Sequence, residues 1–223
     1  MDGTVSDLTM SHSPSKPGPL SLPRQHNLQQ AVEYALGPLA AQSADQLAWL
    51  GAHPEAQGAW RVRVLDGELV VQAPSGQIRT AGGGEINPQW RILVLHYLCV
   101  TGRPPEREPR IGFGELADAR AYVSVYHKRV IERFCATAGR DETTLRRAME
   151  SLGGLPAAGG GDAAFDLRVF PRLVMRVIWH HGDEEFPPSA TMLLPPNVQS
   201  FLCSEDVVVL SERVVSRLGG RPF

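Results

Sequence analysis

The pair Asp66-Gly67 constrains this chain more than any other feature. It separates Trp60 to Leu65 from Glu68 to Gln72, two short runs rich in Val and Leu. A two-residue Asp-Gly connection between such runs predicts a type I′ hairpin, and with it antiparallel pairing. Further on, Ala163 to Val169 and Leu173 to Trp179 read as strands that meet at the corner Phe170-Pro171-Arg172, and Thr191 to Leu194 as a third.

Between and around these strands the apolar period is helical. Leu28, Ala31, Val32, Ala35 and Leu36 predict a helix from Asn27 to about Ala41, broken or kinked at Gly37-Pro38. Ser43 with Gln46 forms a capping box for a short helix through Leu47 and Leu50, before a loop from Gly51 to Gly58. Asn87-Pro88 caps a helix with the stripe Ile92, Leu95, His96 and Cys99. Glu115 to Ala136 carries Tyr122, Val123, Tyr126, Val130 and Phe134 on one face, Asp141 opens another helix, and a last helix is capped at Ser204. Segregated runs of strands and helices predict an α+β fold with an antiparallel sheet. Residues 26–220 form its single main domain, and Met1 to Gln25, rich in Ser and Pro and without the order of a secretion signal, reads as a disordered tail.

Charge and cysteine usage narrow the function classes. A formal net charge of -2 provides no basic field for neutralising phosphates along a nucleic acid. Among the basic residues only Lys16 and Lys128 are lysines, an imbalance that reads as codon bias. Cys99, Cys135 and Cys203 are far apart and odd in number, which suits a reducing cytoplasm better than a disulfide framework or a close-spaced metal set. No apolar stretch approaches the roughly 20 residues of a bilayer span, so neither nucleic acid nor membrane is an expected partner.

The densest chemistry is W-H-H-G-D-E-E-F-P-P, Trp179 to Pro188, at a strand exit. In an extended segment Trp179 and His181 share one face, Arg176 and His180 the other. His181-Gly182-Asp183 has the H-x-D spacing of a facial metal triad, although the third ligand would have to come from His96 or His127 upstream. Asp183, Glu184 and Glu185 also suit a divalent cation or general acid/base catalysis; against this stands the ordinary reading of solvated acids, or acids paired with Arg172 and Arg176. His96, on the apolar stripe of its helix, is placed as an axial ligand or as a hydrogen-bonded core histidine.

The succession L-H-Y-L (Leu95 to Leu98), I-G-F-G-E-L (Ile111 to Leu116), L-G-G (Leu152 to Gly154), G-D-A-A-F (Gly161 to Phe165), F-P-R, the W-H-H-G-D-E-E-F-P-P segment and Glu205-Asp206 resembles the prokaryotic family catalogued as domain of unknown function 3786. The resemblance runs from about Leu47 to Leu218. It implies no agreed activity; some members carry an iron-sulfur domain like those of corrinoid iron-sulfur proteins, which implies a setting near corrinoid or low-potential redox chemistry in anaerobes. This chain has no cysteine cluster, so such a centre would belong to a separate protein.

The leading expectation is a cytoplasmic domain that binds a small-molecule cofactor, a corrinoid or haem, with His96, Tyr97, Trp179 and Phe186 as contact residues. Its pocket would be floored by the C-terminal sheet, rimmed by the acidic turn and walled by the helix Pro88 to Thr101. The alternatives are an enzyme, metal-dependent through His181 and Asp183 or acid/base through Asp183, Glu184 and Glu185, and an interaction module docking through Phe186, Pro187 and Pro188.

Overall fold

The computed structural model describes residues 25–73 and 75–223. The expected tail falls outside them except for Gln25, which begins helix α1 (Gln25–Ala40). Pro38 lies within the last turn of α1, so the helix runs through the expected break. Helix α2 (Ala44–Trp49) is capped by Ser43, whose hydroxyl accepts from the Gln46 N–H at 3.1 Å. Only that half of the capping box forms. The buried Gln46 amide instead donates to the carbonyls of Val100 and Gly102, both at 2.9 Å, and holds the chain after the third helix against α2.

The first sheet has the order β1 (Ala52–Pro54), β2 (Ala59–Val64), β3 (Gly67–Gln72) and β4 (Gln77–Thr80), all antiparallel. The Asp-Gly hairpin is present but shifted by one residue. Val64 pairs with Gly67, the loop is Leu65-Asp66, and Leu65 rather than glycine adopts a positive φ of 51°. Leu65 is buried and its N–H donates to the Val169 carbonyl at 3.0 Å, a tertiary tether that outweighs local turn preference. Gly67 serves proximity: a Cβ there would lie 2.5 Å from the Phe223 ring. The edge strand β1 lies in the expected loop Gly51 to Gly58, and both it and β4 are too short to show a period of their own.

Helix α3 (Pro88–Leu98), N-capped by Asn87, is central. Trp90, Ile92, Leu93, Val94, Leu95, Tyr97 and Leu98 are all buried, so its apolar surface is far wider than the expected stripe, and His96 lies on the less buried side. Strand β5 (Ile111–Gly112) follows. The expected long helix starts late, because 3-10 turns occupy the chain up to Tyr122. It then runs as α4 (Val123–Tyr126), a π-helical segment (His127–Glu132) and α5 (Arg133–Ala136). The wider turn shifts the face, so Val130 and Ile131 are both buried while Tyr122 and Val123 are exposed.

Helix α6 (Glu142–Ser151) is capped by Asp141, which accepts from the Thr144 N–H at 2.7 Å. The second sheet is antiparallel throughout, in the order β5, β9 (Ser189–Leu194), β8 (Leu173–His180), β7 (Ala163–Phe170), β6 (Leu155–Pro156). Phe165, Leu167, Val169, Met175, Val177 and Trp179 fill its inner face. Asp166, Arg168, Val174 and Arg176 alternate with them and point to the other face. Helix α7 (Ser204–Leu218) is capped one residue earlier than expected, by Cys203, while the Ser204 hydroxyl donates to the Ala117 carbonyl at 2.8 Å. The fold is α+β, with two antiparallel sheets. No helix among the described residues is long and apolar enough to cross a membrane.

Candidate functional site

On the outer face of the second sheet lies a cleft of about 480 Å³. Its floor is Asp166, Arg168 and Val174; the hairpin turn contributes Arg63 and Leu65, the β7–β8 turn Arg172, and the loop before β5 Arg107, Glu108 and Arg110. Five arginines thus converge from three separated stretches of chain, against the acids Glu106, Glu108 and Asp166.

Those acids do not cancel the arginines equally. Asp166 is held from both ends by Arg176, with Nε to Oδ1 and Nη2 to Oδ2 both at 2.8 Å. That fork keeps the Asp166 carboxyl below its usual range against the opposing effect of burial, helped by the charge of Arg110. Asp166 therefore remains an anion at neutral pH and anchors arginines instead of transferring protons. Arg110 is fixed by donating from Nη1 to the Val174 carbonyl at 2.9 Å and from Nη2 to Asp166 at 3.4 Å. Its Nε is buried, 3.6 Å from a Glu108 carboxylate oxygen, and has no hydrogen-bond partner among the described residues. Arg168 braces the turn by donating to the Pro171 carbonyl at 2.8 Å, and Arg63 donates to the Leu65 carbonyl at 3.2 Å. Both remain largely exposed, as does Arg107. Guanidinium groups arranged in this way present forked N–H pairs to an incoming carboxylate or phosphate.

None of the residues nominated from sequence lines this cleft. Tyr97 is core: its hydroxyl donates to the Leu50 carbonyl at 2.7 Å and its ring stacks on Phe170 with centroids 4.4 Å apart. Trp179 is fully buried, its Nε1 donating to the Gly139 carbonyl at 2.7 Å. Phe186 is exposed. His96 bonds through Nδ1 to Asp206 at 2.9 Å, joining α3 to the first turn of α7, and this bond raises the imidazole above its usual range despite partial burial.

The acidic turn is a self-contained surface feature. Asp183 Oδ1 accepts from the N–H groups of Phe186 and Glu185, both at 2.8 Å, and these bonds hold its carboxyl below the usual range. Glu184 and Glu185 are exposed. His181 lies edge-on to Trp179 with centroids 5.6 Å apart, so the face shared by those two residues is as expected. Neither His96 nor His127 completes a ligand set with His181 and Asp183. Among the described residues no group of three or more His, Cys, Asp or Glu is placed to hold a metal ion. Arg176 and Arg172 do not pair with this turn: Arg176 holds Asp166, and Arg172 donates to the Trp49 carbonyl at 2.8 Å. The cleft lies on the C-terminal sheet, and neither the acidic turn nor α3 lines it.

Residues 44–217 match the model of the family described as Domain of unknown function (DUF3786). No curated protein and no solved structure matches the chain.

Proposed function

The chain belongs to the DUF3786 family of domains of unknown function, and within it we propose that the arginine cleft binds a small molecule with more than one negative charge, a phosphate ester or polycarboxylate. The observation that carries the reading is the convergence of Arg63, Arg107, Arg110, Arg168 and Arg172 on one cleft, with Arg110 fixed there by the Val174 carbonyl. The size also suits a metabolite, since small-molecule sites occupy about 300–1,000 Å³.

A corrinoid or haem draws less support from the same geometry. It needs an axial donor above an apolar slot, and His96, already bonded to Asp206, is not among the residues lining the cleft.

Calorimetric titration with inorganic pyrophosphate and with citrate tests the proposal. Binding of at least one of them at micromolar strength is expected, weakened about tenfold or more in Arg107→Gln/Arg168→Gln, because each charge-assisted hydrogen bond contributes about 1.5–3 kcal/mol. Absence of binding by both, or binding indifferent to the double substitution, would overturn it.

A further inference from the structure

The arginine cleft does not end at Arg172. A second space of about 200 Å³ opens beside it, walled by Trp49, Pro104, Pro105 and Phe201. Glu106, Arg172 and Asn197 line both spaces, so the two adjoin along that edge. Across it Trp49, Phe201 and two prolines join the guanidinium groups of Arg103 and Arg172.

Trp49 is half-buried and lies parallel to Phe201, with 6° between the rings and 6.2 Å between centroids. Arg172 places its guanidinium carbon 4.8 Å from the indole centroid and donates from Nε to the Trp49 carbonyl. Its own N–H donates to the Tyr97 hydroxyl at 3.2 Å, so backbone and side chain are both pinned at the junction. Among the described residues its Nη atoms donate to no protein acceptor and are available to an anion in the cleft. Arg103, tied to Asp45 and Gln46, brings a second guanidinium within 5.9 Å of the same indole. Asn197 donates to the Pro105 carbonyl at 2.6 Å and fixes the proline wall.

We infer that the ligand carries a flat ring system in addition to its anionic groups, and that its class is a nucleotide-like phosphate ester: phosphates on Arg110, Arg168 and Arg172, ring in the Trp49 slot. This rests on the anion reading above. An arginine cleft alone needs no aromatic annex; an aromatic annex beside it accounts for a ligand of two parts. Ring stacking on an aromatic side chain contributes about tenfold or more in affinity and tolerates different rings, because every base has a π-face.

The test titrates the full chain with ADP and with pyrophosphate, while following tryptophan fluorescence. ADP is expected to bind about tenfold or more tighter than pyrophosphate and to change Trp49 emission. Trp49→Leu abolishes the advantage of ADP over pyrophosphate, and the ratio of the two affinities is the readout because the indole also seats Arg172; should that variant not fold, Trp49→Phe narrows the ratio in part. Equal affinities for ADP and pyrophosphate, both lowered by Arg107→Gln/Arg168→Gln, would sink the ring subsite and leave the anion cleft standing. If neither ligand binds, or ADP binding ignores the arginine substitutions, the ring subsite has no anion site to adjoin and falls with it.

Discussion

The Tyr97 hydroxyl joins the end of α2 to the β7–β8 turn, donating to the Leu50 carbonyl and accepting from the Arg172 N–H. Burial pushes the phenol well above its usual range, so it stays a neutral donor at every working pH. Tyr97→Phe keeps the ring stack but strands a carbonyl and an N–H, at a cost of about 1–3 kcal/mol. Urea denaturation is expected to show a lower midpoint with an unchanged slope; an unchanged midpoint would mean that water replaces the hydroxyl at no cost. Glu108 acts in the opposite sense. Its carboxylate, 3.6 Å from Arg110 Nε, is a resident anion at the mouth of the proposed site. Because Glu108 is largely exposed and solvent screens the pair, Glu108→Gln is expected to raise pyrophosphate affinity by about two- to fivefold. A fall in affinity would make Glu108 a group that positions Arg110 instead of competing with the ligand.

Helices α3 and α7 are joined by His96 and Asp206, and that joint responds to pH. The folded imidazole is raised above the unfolded value of about 6.5. The pair therefore stabilises the fold fully below about pH 6.5, and the contribution fades as pH rises through the folded value. The stability difference between the native chain and Asp206→Asn is expected to be largest in mildly acidic buffer and to shrink towards alkaline pH; a difference that grew with pH would reverse the assignment. Caps at Ser43, Asn87 and Asp141 were legible in sequence because they are local chemistry, and so were β7, β8 and β9 from their alternation. The hairpin register was not, because Val169, about a hundred positions away, decides the conformation of Leu65. Nor was the start of the helix before Tyr126, since the apolar residues Tyr122 and Val123 fit its period yet stay exposed. The acidic turn drew attention by density, and density in sequence proved to be a solvent-exposed turn. The cleft is the converse case, with Arg63, Arg107, Arg110, Arg168 and Arg172 in no motif and brought together only by tertiary structure. The one trace in sequence was charge of both signs, Asp166, Arg168 and Arg176, on the outward positions of two paired strands.

At the scale of the molecule, the cleft sits where the two sheets meet. Arg63 and Leu65 reach it from the first sheet, and Asp166, Arg168 and Val174 from the second. The sheets are tied by the Leu65 N–H on Val169, and the hairpin turn is held again by Arg217, which grips both oxygens of Asp66 at 2.6 and 2.7 Å. A ligand spanning both walls opposes their separation and stabilises the fold as one cooperative unit. At about one hundred times its dissociation constant, it adds about 2.7 kcal/mol. For a domain of this size that corresponds to a rise of about 5–11 °C in the thermal midpoint, at about 2–4 °C per kcal/mol. Added salt is expected to erode the shift, because the attraction is between charges reachable by solvent. Amide hydrogen exchange separates this from a one-sided site: with pyrophosphate bound, protection should increase in both the β2–β3 hairpin and the β7–β8 hairpin. Protection confined to β7 and β8 would mean that the ligand rests on the second sheet alone and that Arg63 is a bystander.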